Sequence, residues 1–311
     1  MKNAPETHVA PTLELKSLSR CPLCQGAKRR RLYGLAQSAV YRCQICGLAY
    51  LDPCLDSGAM AKAYESSQSL KQLHDFHEGY YEYGSLDKDS KTLREFTQSL
   101  EMAEGRLPAE SSKKLFEVGF GNGLFLALAQ KRGWRVDGID TSPMNVRVAH
   151  ERFKLNLRQG FFESLADDGH RWDAVAMMDV IEHTDQPYAL LAKAYGLLKP
   201  GGILLLGTPN EGSFFRALSN ALWKLSAGVM RSGIDKIYFL EHVAYYDRGT
   251  LAELLRRAGF EPLKSFYAET DLEKYRLRPL ERLIGKAILF CGKLLRRENR
   301  LIMCARKQDQ A

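Results

Sequence analysis

The chain lacks several features, and each absence excludes a class of protein. Its 311 residues contain no uninterrupted apolar run near the ~20 residues of a membrane-spanning helix, which excludes an ordinary membrane span. The polar segment Met1–Thr12 has two prolines and no apolar signal core, so the sequence predicts a protein that is not secreted. The chain also has no internal repeat and no low-complexity tract.

A disulfide framework is lacking as well. The seven cysteines are an odd number, and four of them form a pattern typical of metal ligands. Without a signal segment, this usage predicts a reduced, cytoplasmic compartment. A hydrophobic content of 45% is ample for a core, and the length predicts one large domain with a small one.

Acidic residues are absent from one segment and scarce in another. Lys16–Arg42 contains seven bases and no acid, and Lys274–Arg297 contains eight bases with Glu281 as its one acid. Each segment carries +7, so the remainder of this chain of net charge +8 carries −6. The positive charge is therefore local, and it predicts contact with anionic lipid, a phosphorylated substrate or nucleic acid.

Two Cys-x-x-Cys pairs lie close to the N-terminus, eighteen residues apart. This spacing matches a tetrahedral zinc site made of four thiolates, which would be closed and structural because no coordination position is left open. Four free thiols or a redox pair are the alternative. The predicted ligands are Cys21, Cys24, Cys43 and Cys46. The other cysteines, Cys54, Cys291 and Cys304, are predicted to be buried or idle thiols.

Strands and helices alternate from residue 113 onward. This order predicts an α/β fold with a doubly wound, mainly parallel sheet of seven strands, in which the pairing of the last two strands stays open. The strands are predicted near 114–119, 135–139, 155–159, 172–178, 202–207, 262–268 and 300–306.

The rest of the chain divides into smaller segments. We predict a helix from about Leu86 to Gly105. The predicted domains are a disordered lead (1–15), a zinc-ribbon module (16–55), a helical cap or linker (56–112) and a main domain (113–311) with helical insertions at about 211–240 and 272–297. The first insertion is either a helix that covers a substrate pocket or plain packing against the core.

A glycine turn follows the first strand of the main domain. Glycines at 119, 121 and 123 let the backbone turn sharply and approach a ligand that a Cβ would exclude. The second strand, Arg135–Asp140, ends in an acid that suits the two hydroxyls of a ribose. These features predict a nucleoside cofactor. A nicotinamide or flavin fold is the competitor, but its fingerprint is Gly-x-Gly-x-x-Gly, whereas this chain has Gly-x-Gly-x-Gly.

Four motifs resemble those of class I S-adenosylmethionine-dependent methyltransferases. They are Glu-Val-Gly-Phe-Gly-Asn-Gly at 117–123, Gly-Ile-Asp-Thr-Ser at 138–142, the strand and exit at 172–183, and Leu-Leu-Lys-Pro-Gly-Gly at 197–202. The resemblance covers about 113–268 and is greatest to the ubiquinone-biosynthesis O-methyltransferase-like group, here with a zinc ribbon in front. It implies a Rossmann-like fold and methyl transfer from S-adenosylmethionine.

The same resemblance implies the residues that bind the cofactor. The glycines would line the methionine part with Glu117 orienting their loop, Asp140 would bind the ribose, and Phe161, Phe162 or Glu163 would flank the adenine. Asp179 would lie near the methionine end. The full predicted set is Glu117, Gly119, Gly121, Asn122, Gly123, Asp140, Thr141, Phe161, Phe162 and Asp179.

Two histidines are candidate bases. His183 follows the end of the fourth strand, where the active sites of such sheets open, and neutral imidazole can accept a hydroxyl proton near neutral pH. His242 lies in a segment that resembles the substrate side of the family. Either histidine has an ordinary alternative role, since His183 could brace the next helix and His242 could bind a nearby backbone group.

The sequence says less about the methyl acceptor than about the methyl donor. The resemblance favours a hydroxyl on a small-molecule, glycan or lipid-linked acceptor. It also implies that helices before the main domain close the cofactor site, so that Tyr80 or Tyr81 would touch the methionine end. The basic amphipathic segment 274–297 predicts either a membrane contact with anionic lipid, at the inner face of a membrane, or a packed surface helix. No motif indicates an oligomeric state.

Two other functions remain open. Basic zinc ribbons can bind phosphates, so an RNA methyltransferase is one alternative, although the exit Asp-Val-Ile-Glu-His differs from the Asn/Asp-Pro-Pro-aromatic motif of base-amino methylases. A catalytically silent adaptor of the same fold is the other. The intact Glu117, glycines and Asp140 favour an enzyme over an adaptor.

Overall fold

The computed structural model describes residues 15–56, 58, 60, 83–275 and 277–308. Most of the predicted disordered lead and both tyrosines at 80 and 81 lie outside the described residues. Within the described part of the chain, no helix is both long and apolar enough to cross a membrane.

The N-terminal module is a small set of antiparallel strands. β1 and β5 pair with each other, while β2, β3 and β4 form consecutive antiparallel neighbours. These strands are β1 (Leu15–Lys16), β2 (Arg29–Gly34), β3 (Ala39–Cys43), β4 (Ala49–Asp52) and β5 (Cys54–Leu55). The cysteine pairs occupy the turns before β2 and after β3.

A seven-stranded sheet forms the centre of the main domain. Its order is β8-β7-β6-β9-β10-β13-β12, with β13 antiparallel to both of its neighbours and the other pairs parallel. Its strands are β6 (Lys114–Val118), β7 (Arg135–Asp140), β8 (Arg158–Gln159), β9 (Trp172–Met178), β10 (Leu198–Pro209), β12 (Phe260–Ala268) and β13 (Arg300–Lys307). The predicted fold class is confirmed, and the last two strands pair antiparallel.

One short strand leaves the main domain to join the module. β11 (Ala244–Tyr245) pairs antiparallel with β4, so the module's sheet has four strands in the order β11-β4-β3-β2. The buried side chains of the module and of the face of the main sheet beside it form one continuous apolar cluster. The module is therefore docked on the main domain through both backbone pairing and a shared core.

Helices cover both faces of the main sheet. They are α1 (Lys91–Glu104), α2 (Leu124–Lys131), α3 (Pro143–Phe153), α4 (Pro187–Leu197), α5 (Phe214–Leu225), α6 (Ser232–Asp235), α7 (Arg248–Arg257) and α8 (Pro279–Leu294). All seven residues of β9 are buried, as expected for a central parallel strand that is covered on both faces. α1 begins five residues later than predicted because the Ser90 side chain caps it by accepting from the N–H of Leu93.

A buried ion pair joins α1 to the antiparallel strand β13. Arg300 Nε lies 2.7 Å from Glu95 Oε2, and both side chains are almost fully buried. Arg300 Nη1 also contacts Asp179 Oδ1 at 2.9 Å, at the end of β9. β13 is the strand that runs antiparallel to its neighbours. The ion pair therefore holds α1 against this antiparallel strand.

We predict that Glu95→Ala destabilises the protein by about 3 kcal/mol, because it leaves the Arg300 cation buried with one carboxylate partner fewer. Urea denaturation measures the free energy of unfolding. The control is Glu273→Ala, which removes one partner of the exposed pair Lys88–Glu273 and should leave the unfolding midpoint unchanged. Equal losses in the two variants would contradict the role of the buried pair.

Candidate active site

The glycine loop connects β6 to α2 at the carboxyl edge of the sheet. Gly119, Gly121 and Gly123 all have positive φ, at +66°, +54° and +82°. A Cβ on Gly119 would lie 2.6 Å from Val180 Cγ2, and one on Gly123 would lie 2.8 Å from Ala149 Cβ. The backbone conformation therefore favours glycine at all three positions, and the available space also requires it at 119 and 123.

Asp140 at the end of β7 holds this loop. Its Oδ2 accepts from the N–H of Gly121 at 2.9 Å, and its Oδ1 accepts from the N–H of Ser142 and the amide of Asn145. Burial raises the pKa of Asp140, and these three donors partly offset that rise. The sequence suggested only a ribose ligand for Asp140. The structure adds a second task, since Asp140 ties the glycine loop to the start of α3.

Glu117 lies inside β6, directly below the loop. Its side chain is almost fully buried, and no hydrogen-bond donor reaches its Oε2 among the described residues. Burial, together with the nearby Asp140 charge, raises the pKa of Glu117 well above its usual range. A buried carboxyl oxygen without a donor is costly, and a cationic or N–H-bearing ligand would satisfy it. The residues present thus fit S-adenosylmethionine, which carries a sulfonium and an ammonium group.

The two polar neighbours of the loop have different surroundings. The Asn122 amide donates to the backbone oxygen of Tyr83 at 2.8 Å, and its Oδ1 accepts from the N–H of Leu124. Asn122 therefore attaches the loop to the segment that precedes α1. Thr141 is half-buried directly after Asp140.

The two phenylalanines that follow β8 differ in their exposure to solvent. Phe162 is buried and packs against Phe116, with ring centroids 6.2 Å apart. Phe161 is 41% exposed, so its ring is the more accessible of the two to a planar ligand. Adenine binding by this pair stays a prediction, and Phe161 is the better candidate.

Asp179 directly follows β9, at the edge of the sheet that carries the glycine loop. It has a positive φ of +58°, uncommon for a residue with a side chain, and its N–H donates to the backbone oxygen of Gly207. Its carboxylate contacts Arg300, which in turn binds Glu95. Sequence reasoning missed Arg300 and Glu95, since about 200 residues separate them and neither lies in a recognisable motif.

The two candidate bases lie side by side. Their rings are 4.7 Å apart between centroids and nearly perpendicular. His183 Nδ1 lies 2.8 Å from the backbone oxygen of Glu241. Because a carbonyl oxygen can only accept, Nδ1 donates there, and the neutral ring keeps its lone pair on Nε2. His242 is buried and packs on Phe239 and Tyr245.

A buried glutamate completes this cluster. Glu182 is 1% exposed, and its Oε2 accepts from the Thr208 hydroxyl at 2.9 Å. Burial and the nearby Asp179 raise the pKa of Glu182 to about 8. One ligand atom each from Glu182, His183 and His242 lie within 4.8 Å of one another, a spacing that can also hold a cation. The sequence suggested the histidines, but it gave no signal that Glu182 faces them.

The four predicted zinc ligands come together in the module. Cys21 Sγ lies 3.6 Å from Cys46 Sγ, Cys24 Sγ lies 3.4 Å from Cys43 Sγ, and all four sulfurs are within 4.8 Å of one another. Sulfurs about 2.3 Å from a tetrahedral zinc ion would have similar separations. Cys54 and Cys304 are buried, Cys291 is half-buried, and none of the three belongs to this group of four sulfurs.

Comparison with known proteins agrees with this geometry. A family model described as a methyltransferase domain matches residues 90–265. The chain belongs to this family. It is 32% identical over 164 residues to the ubiquinone biosynthesis O-methyltransferase of Cereibacter sphaeroides strain ATCC 17029, across 50% of this chain and 63% of that one. The corresponding protein of Ruegeria pomeroyi is 28% identical over 185 residues, across 58% and 67%. The chain thus spans less than two thirds of the first of these relatives.

Solved structures share the fold of this methyltransferase domain. One is the 1,6-didemethyltoxoflavin-N1-methyltransferase of Burkholderia thailandensis with bound S-adenosylhomocysteine, which gives a TM-score of 0.52 at 20% identity and covers 90% of this chain and all of that one. Another is the magnesium protoporphyrin IX methyltransferase of Synechocystis PCC 6803, with a TM-score of 0.50 at 16% identity and coverage of 81% and 100%.

We predict that Asp140→Ala weakens binding of S-adenosylhomocysteine about 100-fold or more, because charge-assisted hydrogen bonds to a ribose are lost. Isothermal titration calorimetry measures the dissociation constant, and circular dichroism checks that the variant folds. The control is Asp137→Ala on the same strand, whose carboxylate instead pairs with Arg158. Similar affinities in the two variants would rule out Asp140 as a ligand.

Proposed function

We propose that this protein transfers a methyl group from S-adenosylmethionine to a hydroxyl of a small-molecule, glycan or lipid-linked acceptor. The observation that carries this proposal is the position of the Glu182–His183–His242 cluster next to the glycine loop. Val180 packs over Gly119, so the segment that bears His183 begins beside the start of the glycine loop, which we call the donor loop because it would hold the methyl donor. Donor and base would then meet at one edge of the sheet, where open α/β sheets bind their ligands.

The reaction needs alignment and removal of one proton. When bound, S-adenosylmethionine supplies an electrophilic methyl group on its sulfonium. Glu117, Asp140 and the glycine loop would hold and orient it, which lowers the entropic cost of bringing the reactants together. His183 Nε2 would take the proton of the acceptor hydroxyl, with Nδ1 fixed by the Glu241 carbonyl. His242 would hold the His183 ring in place through their edge-to-face contact.

The named relatives favour oxygen as the methylated atom. They are called ubiquinone biosynthesis O-methyltransferases, which is compatible with a hydroxyl as the methyl acceptor. The family model begins at residue 90, after the module, so the role of the module is argued separately from its own contacts. We propose that its four cysteines bind one structural zinc ion.

The alternative of an RNA methyltransferase is less well supported, because some basic residues of the module already form ion pairs within the chain. The run Lys28–Arg31 suggests this alternative. Three of the seven bases in Lys16–Arg42 are engaged in ion pairs within the chain: Lys16 with Asp185, Arg29 with Asp52, and Arg42 with Glu211. Bases that are neutralised within the fold contribute little to phosphate binding. Salt-sensitive RNA binding would restore this alternative, and loss of S-adenosylmethionine binding would favour an adaptor.

We further propose that α5 and α8 form a membrane-contact surface. Ten of the twelve exposed large apolar side chains among the described residues lie on these two adjacent helices and the turns after them. They are Leu222, Leu225, Val229, Met230, Leu280, Leu283, Ile284, Phe290, Leu294 and Leu295.

Charge around this surface is suited to anionic lipid. α8 packs inward mainly through Leu289 and Gly292, so most of its large apolar side chains face away from the core. The bases Lys224, Lys286 and Lys293 lie on the same helices, and no ion pair joins them to the described residues. Exposed apolar side chains flanked by bases are typical of helices that lie in an anionic interface. This placement would put the protein at the inner face of a membrane.

We predict that His183→Ala lowers methyl transfer about 100-fold or more, because removing a general base typically costs that factor. The measurement is transfer of a labelled methyl group from S-adenosylmethionine to the small-molecule, glycan and lipid fractions of a cell extract, each counted separately. Binding of S-adenosylhomocysteine should stay unchanged. His242→Ala should give a smaller loss. If both variants keep full turnover, neither histidine is the base.

We predict that the protein floats with vesicles containing phosphatidylglycerol and that flotation decreases as salt is raised. Leu283→Glu and Phe290→Glu should each reduce the bound fraction several-fold, because each places a charge in the apolar contact. The control is Ile45→Glu, which changes a side chain that is 63% exposed on the zinc module. Failure of the unaltered protein to float would exclude the membrane contact.

A further inference from the structure

The first cysteine pair contacts the segment that carries His183. The Tyr188 hydroxyl, near the start of α4, donates to the backbone oxygen of Leu23 at 2.5 Å. Leu23 lies between Cys21 and Cys24, inside the first turn of the cysteine site. Tyr188 follows His183 by five residues, so one hydrogen bond links this cysteine turn to the chain that leaves the candidate base.

The second cysteine pair contacts the segment that carries His242. β4 starts three residues after Cys46 and pairs with β11, where Tyr50 lies opposite Ala244 and Ala49 opposite Tyr245. The N–H of Leu51 also donates to the backbone oxygen of Val243 at 2.9 Å. Val243 directly follows His242. The strand after the second cysteine turn therefore fixes the backbone on the C-terminal side of this histidine.

The two histidine segments are also joined to each other. The N–H of Val243 donates to the backbone oxygen of Glu182 at 2.7 Å, and His183 Nδ1 donates to that of Glu241. Val243 thus bonds to β4 through its carbonyl oxygen and to the Glu182–His183 turn through its N–H. A shift of β4 would move Val243, and with it the separation of the two imidazole rings.

Charge pairs hold the module in the same orientation. Lys16 Nζ lies 2.6 Å from Asp185, whose side chain is almost fully buried and which lies two residues after His183. Arg42, next to Cys43, lies 2.9 Å from Glu211, which also binds Arg216 and accepts from the Tyr238 hydroxyl. These bases point inward to the main domain, so the positive charge of the module serves docking at these positions.

From these contacts we infer that the four-cysteine site is a clamp that sets the position of His242 relative to His183. Each cysteine turn is bonded to one histidine segment, and an ion held by all four sulfurs would fix the two turns relative to each other. Tyr188 and β4 are the positioning elements of this clamp. The catalytic consequence rests on the proposed function, whereas the clamp itself is a statement about backbone geometry that can be tested without turnover.

The test is amide hydrogen exchange on the full chain, followed at Val243 and at Gly121. We expect one zinc per chain, and we expect its removal by a chelator to speed exchange at Val243 about tenfold or more, the factor that corresponds to the loss of a buried hydrogen bond. Exchange at Gly121 and the affinity for S-adenosylhomocysteine should change less than about twofold, because the donor loop is held by Asp140.

A point variant removes one link of the clamp while the cysteines stay in place. Tyr188→Phe should speed exchange across 239–245 with zinc still bound. The matched control is Tyr195→Phe on the same helix, whose hydroxyl donates to the backbone oxygen of Gln308, far from the module along the chain. It should leave Val243 unchanged.

Three results would overturn the clamp. The first is a purified chain that holds no zinc. The second is equal exchange at Val243 in the zinc-loaded and the stripped protein. The third is equal exchange in Tyr188→Phe and Tyr195→Phe. If the unaltered, zinc-loaded protein transfers no methyl group although exchange at Val243 is slow, that result counts against the proposed function and not against the clamp. The two failures are therefore distinguishable.

Discussion

The contact between Gly119 and Val180 is the constraint on which the rest of the site depends. β6 and β9 are parallel neighbours in the sheet, so the turns that follow them leave the same edge side by side. The Val180 side chain occupies the space where a Cβ of residue 119 would lie. Because the two turns are packed this closely, the donor loop and the histidine segment cannot move independently.

Buried carboxyl groups give this edge a particular electrostatic character. Glu117, Asp140 and Glu182 are each almost fully buried, and burial raises the pKa of all three. A positively charged ligand favours the ionised form of such groups, so binding of a sulfonium would lower these pKa values and be stabilised in return. Arg300, at the side of the site, is already balanced by Glu95 and Asp179. Its charge therefore opposes a cationic ligand less than an isolated arginine would.

The sequence predicted the strands and the donor loop well because their signals are local. Apolar runs such as Trp172–Met178 and the glycine spacing at 119–123 can be recognised without knowing what lies opposite. By contrast, the pairing of β11 with β4 and the bond from Tyr188 to Leu23 join residues about 165 to 200 positions apart. Two-residue strands and single hydroxyl contacts leave no periodic pattern. Glu182 was missed for a related reason, since burial and not residue type gives it its unusual pKa.

The two basic segments of the chain illustrate how the same composition serves different ends. In the module, Lys16 and Arg42 pair with buried acids on the main domain, so these two charges are balanced inside the fold. On α8, Lys286 and Lys293 stand beside exposed leucines and find no acid among the described residues. Bases that pair with acids inside the chain hold the module on the main domain. Bases that remain unpaired beside an apolar surface are suited to an external anionic partner. The net charge of +8 thus combines bases that are paired inside the fold with bases on α8 that lie beside exposed apolar side chains.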